Sequence, residues 1–400
     1  MICNRRTFFT AASGLALGAR MASAGAQGAS DRIRIGVIGT GGRARGLMGH
    51  LKKLPGNEMV ALCDVYQPRL LQAAEIAGPA AAQVADYRRI LDDRSIDAVV
   101  IGTPDHWHKT IALDAVAAGK DVYVEKPVSH TLEEGVEMVK AIEASKQIVQ
   151  TGTQQRSWDH FKLGKEIIDS GRLGQITLVH TYWYQHATAG SYPDVSMDKL
   201  DWKRWLGSAP DQPFRPERFF QWRHFWDFGG GCVTDLMTHW IDVAQWYMNV
   251  EAPLTAAATG RNYNITLWEA PDTVDVTLEF PKKFMAAYLG TYVSRVDDGG
   301  LEFRGERGTL KVDRARLAFY RDDAAYAAGT NTPEPEIYVR SSGDGTLTHL
   351  QNWLDCVRSR KQPNAPIRVG HQAARTSHIA NAALRGGKPV RWNDATGKIE

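Results

Sequence analysis

The chain has 400 residues, of which 43% are hydrophobic and 23% charged, and this ordinary globular composition excludes a fibrous or wholly disordered protein. Its length suits two or three domains. The formal net charge is only +3, and Arg5, Arg6 and Arg20 near the amino terminus account for it, so composition gives no support to binding of nucleic acid or anionic lipid.

Residues 1–30 are typical of an export signal rather than of a folded segment. Arg5 and Arg6 form a twin-arginine pair, residues 11–19 are weakly apolar, and residues 22–26 contain two overlapping A-x-A cleavage sequences. The twin arginine indicates export in the folded state, and therefore a periplasmic protein. The alternative is a disordered basic tail, because Arg20 interrupts the apolar run. No later run of about 20 apolar residues exists, so no membrane span is predicted.

Strand and helix patterns alternate through residues 31–152. The predicted strands are 33–38, 59–65, 97–101, 121–124 and 148–151. The predicted helices between them are 47–54, 68–77, 109–118 and 132–145. This alternation predicts an α/β domain with a doubly wound parallel sheet of the Rossmann type, with ligands at the carboxyl ends of its strands.

A glycine-rich turn of the form G-x-G-x-x-A follows the first strand and precedes a helix. Its predicted contacts to a dinucleotide are Gly39, Thr40, Gly41, Gly42 and Arg43. Asp64 ends the second strand, where a carboxylate binds ribose hydroxyls and repels a 2′-phosphate, so NAD is predicted over NADP. The alternative is a structural turn followed by an aspartate that caps a helix.

Five motifs, which include the glycine turn and Asp64, occur in the order typical of the Gfo/Idh/MocA oxidoreductases (glucose–fructose oxidoreductase and inositol dehydrogenase), and the sequence resembles that family. They are GVIGTGGRARG at 36–46, CDV at 63–65, TPDHWH at 103–108, AGKDVYVEKPVS at 118–129 and GGGCVTDLMTHWIDVAQW at 229–246. The resemblance covers nearly all of residues 31–390. It implies an NAD-binding domain followed by an α/β domain whose open antiparallel sheet often forms an oligomer interface, so a homo-oligomer is expected. It also implies oxidation or reduction of a carbinol carbon in a sugar or cyclitol.

Lys126, Asp235 and His239 are the predicted catalytic residues. Lys126 ends a parallel strand, where its ammonium can reach a nicotinamide, and the bond to Pro127 is a candidate for cis geometry. Asp235 and His239 are four residues apart and so share one helix face. A histidine has a suitable ordinary pKa, about 6.5, for accepting a hydroxyl proton. The alternatives are a solvated Glu125–Lys126 pair and a core histidine that bonds to Asp235.

Other residues are assigned to the cofactor cleft with less support from the pattern. They are Thr103, Pro104, His106, His108, Glu125 and Gln154. A metal site that uses His106, His108, Asp235, His239 and Asp242 is the competing interpretation. No zinc-binding motif is present and the family mostly works without metal, so no metal is predicted.

From residue 153 to about 390 the pattern changes to strands without long helices between them. The predicted strands are 176–184, 254–260, 274–280, 286–293 and 310–312, and the predicted helices are 163–170, 235–248 and 347–360. This predicts an α+β domain with a mainly antiparallel open sheet that binds substrate and forms the oligomer. Residues 187–228 are rich in loops and resemble a lid or binding loop. Arg156, Tyr184, Trp222 and Arg223 are the predicted substrate contacts, and the glycines at 229–231 suggest backbone pressed against a ligand.

These features together predict an NAD-dependent oxidoreductase that acts on a sugar, a cyclitol or a glycoside. Export would separate the enzyme from the cytoplasmic NAD pool, so a tightly held cofactor and a redox-balanced cycle are expected. One alternative is an NAD-dependent glycosidase that oxidises, eliminates, hydrates and reduces back. The other is a binding or sensing protein without turnover, against which the presence of Lys126, Asp235 and His239 argues.

Overall fold

The computed structural model describes residues 32–322 and 334–400, so the predicted export signal lies outside the described residues. The first sheet contains β1 (Ile33–Ile38), β2 (Asn57–Cys63), β3 (Ala82–Val84), β4 (Ala98–Ile101), β5 (Asp121–Val124) and β6 (Val149–Thr151). All its pairings are parallel, in the order β3-β2-β1-β4-β5-β6. The predicted Rossmann-type sheet is confirmed. Its chain order reverses between β1 and β4, which is where such sheets bind ligands.

Helices cover both faces of this sheet, as the strand composition requires. They are α1 (Gly42–Leu51), α2 (Gln67–Ala77), α3 (Arg88–Asp92), α4 (His108–Ala117) and α5 (Leu132–Glu143). The four residues of β4 are fully buried, because an apolar run without alternation has no polar face to present to water. Helix α5 begins where the sequence predicts, since Thr131 and Glu134 form a capping box.

The second sheet is mixed and mostly antiparallel, as predicted. It contains β7 (Ile176–Tyr184), β8 (Thr255–Arg261), β9 (Thr273–Phe280), β10 (Phe284–Thr291), β11 (Gly299–Gly305), β12 (Gly308–Asp313), β13 (Arg316–Arg321), β14 (Ile337–Arg340), β15 (Val390–Asn393) and β16 (Lys398–Ile399). Within the described residues its order is β14-β13-β12-β11-β7-β10-β9-β8-β15-β16, and β7 with β10 is its parallel pair.

The helices of the second half of the chain lie on one face of this second sheet or pack against the first sheet. They are α6 (Asp159–Asp169), α7 (Trp202–Leu206), α8 (Pro216–Phe220), α9 (Thr238–Met248), α10 (Gly345–Ser359) and α11 (Ile367–Gly386). A π-helical turn, Val233–Met237, leads into α9. The predicted loop at 187–228 therefore holds two short helices.

Helix α10 belongs to the core of the first sheet although it follows the second sheet in sequence. Its Leu350, Trp353 and Leu354 are fully buried in one cluster with Val37 and Leu47. The side chain of Asp344 caps this helix by accepting a hydrogen bond from the Thr346 amide at 2.8 Å. A simple division at residue 152 therefore separates the two sheets but not all the helices. In residues 32–322 and 334–400, no helix has both the length and the apolar character needed to cross a membrane.

Candidate active site

Two adjoining cavities lie at the carboxyl end of the parallel sheet. The first, of about 250 Å³, adjoins the glycine turn and Asp64. The second, of about 430 Å³, contains Lys126 and His239. The residues that line both are Arg43, Gly102, Thr103, Trp222 and Arg223. Side chains from the two halves of the chain therefore face one continuous cleft.

The glycine turn is shaped by close contact on one side and open space on the other. Gly39 has a φ of 79°, and a Cβ there would lie 2.7 Å from the Thr103 amide nitrogen, so only glycine fits. Among the residues that the structure describes, apart from each glycine's own chain neighbours, no atom lies within 4 Å of where a Cβ would stand on Gly41 or Gly42. Helix α1 begins at Gly42, and no described side chain caps it. Its first amide groups are therefore suited to bind a phosphate.

Thr40 acts on Asp64 and does not line either cavity. Its amide and hydroxyl both donate to Asp64 Oδ2, at 2.7 and 3.0 Å, and the Tyr66 amide donates to Oδ1 at 2.9 Å. The Asp64 side chain is thereby held in position in the first cavity. The prediction that Thr40 contacts the cofactor directly is thus corrected, because its fully buried side chain is used to position the aspartate.

Polar atoms without partners are present where a dinucleotide would need them. Thr103 Oγ1 and Gln154 Oε1 are buried and have no hydrogen-bond partner in the described part of the chain. Thr103 lines both cavities and Gln154 lines the second. Buried polar groups are normally hydrogen-bonded, so these atoms indicate a polar ligand. Together with the open space at Gly41 and the fixed Asp64, they fit NAD.

Lys126 and Asp235 form the centre of the second cavity. Lys126 Nζ donates to Asp235 Oδ1 at 2.6 Å and to the Asp235 carbonyl oxygen at 2.7 Å. Arg223 Nε and the Tyr292 hydroxyl donate to the same carboxylate, at 3.2 and 3.1 Å. Burial raises the pKa of Asp235, but the charges of Lys126 and Arg223 outweigh it and hold the pKa well below its ordinary value. The carboxylate therefore stays ionised at neutral pH.

His239 is buried, neutral and available for proton transfer. Burial, followed by the charges of Lys126 and Arg314, lowers its pKa well below the ordinary value. Its ring lies 5.3 Å from the Trp183 ring, and Nδ1 has no partner among the described residues. The structure differs from the alternative of a core histidine bonded to Asp235, because this carboxylate is bonded to Lys126, Arg223 and Tyr292 instead.

Some of the remaining predicted cofactor residues line the cleft, and others hold the residues that line it. Pro104 lines the first cavity, whereas Glu125 lines the second and holds Arg43 at 2.8 Å. His108 also lines the second cavity, but its two ring nitrogens contact the carbonyl oxygens of Pro127 and Thr103. The Lys126–Pro127 bond is cis, as the sequence allowed.

His106 is a correction to the sequence-based assignment. It lines neither cavity, because its ring packs between Trp205 and Phe228 and Nε2 contacts the Trp205 carbonyl oxygen at 3.1 Å. Burial lowers its pKa to about 3. It is a core histidine, which supports the wall of the cleft without facing it.

Two of the four predicted substrate contacts are also corrected. Arg156 Nε lies 2.9 Å from both Asp242 carboxylate oxygens, because that buried carboxylate needs a counterion. Tyr184 follows Trp183 in β7, and successive strand residues point to opposite faces, so Trp183 lines the cavity while Tyr184 does not. Trp222 and Arg223 do line both cavities.

The glycines at 229–231 make room for protein rather than for a ligand. A Cβ on Gly230 would lie 2.5 Å from Thr234 Oγ1, and one on Gly231 would lie 2.5 Å from the Ala270 Cβ. The predicted contact with a ligand is therefore corrected, because neighbouring elements pack closely against this segment, which leads into the π-helical turn.

Asp105, Tyr292 and Arg314 line the second cavity and are missed by the sequence analysis. Asp105 lies inside the TPDHWH motif, which could have drawn attention to it. Its burial raises its pKa well above the ordinary value. Tyr292 and Arg314 carry no local signal, because only strand pairing brings them to the cleft. Within the described residues, no group of three or more His, Cys, Asp or Glu side chains is arranged to hold a metal ion.

Comparison with known proteins agrees with this geometry. The family model described as an oxidoreductase family with an NAD-binding Rossmann fold matches residues 33–153. The model of the family's C-terminal alpha/beta domain matches residues 165–391. The fold and the site therefore define an NAD-dependent oxidoreductase. The chain belongs to the Gfo/Idh/MocA family.

Individual relatives are distant but extend over most of the chain. Inositol 2-dehydrogenase of Rubrobacter xylanophilus is 24% identical over 91% of this chain and 94% of its own length. Inositol 2-dehydrogenase 2 of Saccharopolyspora erythraea is 29% identical over 62% of this chain and 63% of its own. The structure of levoglucosan dehydrogenase with NADH and L-sorbose is 19% identical, with a TM-score of 0.71 over 90% of this chain and 99% of that one.

Replacing Asp64 by serine is expected to shift coenzyme preference from NAD toward NADP by about tenfold or more, equivalent to at least about 1.4 kcal/mol. The change removes the carboxylate that repels a 2′-phosphate, and Arg69 and Arg204 line the same cavity. The ratio of kcat/KM for the two coenzymes measures the effect. The same change at Asp92, an exposed residue at the end of α3, is the control. An unchanged ratio in Asp64→Ser would contradict the assignment.

Proposed function

We propose that this enzyme oxidises a secondary hydroxyl of a sugar, a cyclitol or a glycoside. One observation carries the proposal: Lys126 from the first sheet and His239 from α9 line one cavity, which continues into the cavity beside the glycine turn. Such a cavity is large enough for one sugar ring. The names of the relatives, an inositol dehydrogenase and a levoglucosan dehydrogenase, support the same class of substrate.

The residues of the cavity have complementary roles in this reaction. A nicotinamide, when bound, supplies the acceptor for the hydride of the carbinol carbon. Neutral His239 accepts the hydroxyl proton, for which burial keeps it unprotonated. Lys126 stabilises the negative charge that develops on the oxygen, and Asp235 holds the lysine in position. Arg223 and Trp222 bind the sugar, through hydrogen bonds and through stacking.

Absorbance of the reduced coenzyme, followed with a panel of neutral sugars, cyclitols, sugar acids and aryl glycosides, tests the proposal. Oxidation of at least one of them with NAD is expected. Release of aglycone from a glycoside without net coenzyme reduction would favour the glycosidase alternative. Failure of the whole panel, with NAD bound, would favour a binding protein.

We also propose that the protein is exported by the twin-arginine route with its cofactor bound. The Arg5-Arg6 pair and the A-x-A sequences support export, and an exported enzyme would have no soluble NAD pool. Protein from the periplasmic fraction should release a nicotinamide nucleotide on denaturation. Recovery of the full chain only in the cytoplasm would contradict export, and empty periplasmic protein would contradict retention.

We propose a homo-oligomer formed through the open face of the second sheet. Leu178 and Met285 are paired across β7 and β10, and with Leu289 they expose apolar side chains on the face away from the cavity. Exposed apolar groups in a contiguous set are typical of an interface. Sedimentation of the wild type and of Met285→Glu tests this, since the variant should dissociate and a monomeric wild type would contradict the proposal.

A further inference from the structure

Arg314 is a half-buried cation that lines the second cavity and forms no ion pair with the described residues. It lies in the turn between β12 and β13, and its guanidinium stacks 4.5 Å from the centre of the Trp183 ring. Its Nε atom is shielded from solvent and has no hydrogen-bond partner, and in the described chain no carboxylate forms an ion pair with this residue. A guanidinium in such a position normally has a bidentate partner.

The other cations of the cavity already form ion pairs with protein carboxylates. Arg43 is paired with Glu125, and Lys126 and Arg223 share Asp235. The remaining carboxyl of the cavity, Asp105, forms no ion pair within the described residues, and burial raises its pKa well above the ordinary value. With Arg314, four basic side chains thus share the two carboxylates of Glu125 and Asp235. The cavity therefore carries an excess of positive charge, and an anion in it is electrostatically favoured.

The position of Arg314 separates this anion from the phosphates of the dinucleotide. Arg314 lines the second cavity with His239 and does not line the first, where the glycine turn and the start of α1 lie. Trp183 connects it to the reacting end, because the Trp183 ring lies 5.3 Å from the ring of His239. Arg314 also lines an outer groove together with Asp298. The carboxylates of Asp298 and Glu125 act on Arg314 at longer range, without forming an ion pair with it.

We propose that the substrate is an acidic sugar and that Arg314 binds its anionic group beside the carbinol that His239 deprotonates. This inference rests on the proposed function and narrows its substrate class. A carboxylate, as in a uronic or aldonic acid, matches the planar fork of the guanidinium. A sugar phosphate would supply an anionic group of the same kind. The test below distinguishes the phosphate from the carboxylate.

The test compares wild type, Arg314→Met and Arg314→Lys on matched sugars. The probes are D-glucuronate against D-glucose, D-galacturonate against D-galactose, and glucose 6-phosphate. We expect wild type to prefer an acid over its neutral parent, and Arg314→Met to lower kcat/KM for that acid by about 10- to 100-fold while the NAD dissociation constant stays unchanged. Arg314→Lys should retain part of the preference. Arg316→Met, in the same hairpin and exposed, is the matched control.

Thermal stabilisation of the NAD-loaded protein by the same sugars gives a readout that does not need turnover. Arg314-dependent stabilisation by an acid without oxidation would sustain this inference and contradict the proposed function. If neutral sugars are oxidised as fast as the acids, and Arg314→Met leaves both rates unaltered, the proposed function is supported and this inference is contradicted. A preference for the phosphate over the uronates identifies the second source. Loss of NAD affinity in Arg314→Met, or no acid preference in either assay, overturns the inference.

Discussion

Replacing Lys126 by alanine is expected to lower kcat by about 100- to 1,000-fold, with little change in the NAD dissociation constant. The ammonium is the charged donor that Asp235 fixes inside the second cavity, through bonds of 2.6 and 2.7 Å to that residue. Its removal takes away the charge that stabilises the substrate oxygen. The glycine turn and Asp64, which face the first cavity, are left intact. Steady-state kinetics and titration of protein fluorescence with NAD measure the two quantities.

The structural cost of this variant can be separated from its effect on the reaction. Asp235 keeps Arg223 and Tyr292 as partners when the lysine is absent, so the fold should persist. Lys126→Gln, which keeps a donor without the charge, is the second variant. Lys109→Ala removes a lysine paired with Glu137 outside both cavities and serves as the control. Activity of Lys126→Ala close to that of wild type would refute the assigned role.

Replacing His239 by glutamine is expected to lower kcat/KM by about 100-fold or more, within the range of 10²–10⁴ for loss of a general base. Glutamine fills much of the same space beside Trp183 but cannot accept the proton. The matched control is His180→Gln, because His180 lies on β7 and lines neither cavity. An activity loss equal in the two variants would indicate a packing effect instead.

The pH dependence of wild type gives an independent check on His239. A general base is active when unprotonated, so activity falls as the pH drops through its pKa. Burial and the charges of Lys126 and Arg314 lower that pKa well below the ordinary value. We therefore expect kcat/KM for oxidation to hold its value through pH 6.5 and to fall only at lower pH. A fall centred near pH 6.5 would contradict a buried, neutral histidine.

Elements with a strong local pattern are predicted from the sequence to within a few residues. The strands at Ile33–Ile38, Asp121–Val124 and Ile176–Tyr184 have the predicted bounds, because each is a continuous or alternating run that ends at a polar or turn residue. By contrast, β3 has three residues that are mostly exposed and was missed. Helix α11 was also missed, since small and polar residues such as Ala373, Thr376 and Asn381 form its buried face.

Whether a side chain of a motif lines the cavity or packs in the core depends on tertiary packing, which residue spacing does not describe. His106 and His108 are two residues apart in one motif, yet the first packs against Trp205 and Phe228 and the second lines the cavity. Gln154 and Arg156 differ in the same way. Gln154 lines the second cavity, whereas Arg156 is paired with Asp242 and lines neither cavity. Asp235 and His239 share one helix face by their spacing, yet the carboxylate bonds to Lys126, which follows β5 of the first sheet.

The sequence by itself determined the parallel sheet, the glycine turn, the aspartate that favours NAD and the lysine at a strand end. These follow from local causes: hydrophobic periodicity, positive φ at Gly39 and the placement of strand ends. Only the tertiary structure decided that Lys126 meets Asp235, 109 residues away, and that Arg314 lines the same cavity without an ion pair to any residue the structure describes. Such contacts depend on how two sheets pack and which charges are neutralised, and neither is encoded in the neighbours of a residue along the chain.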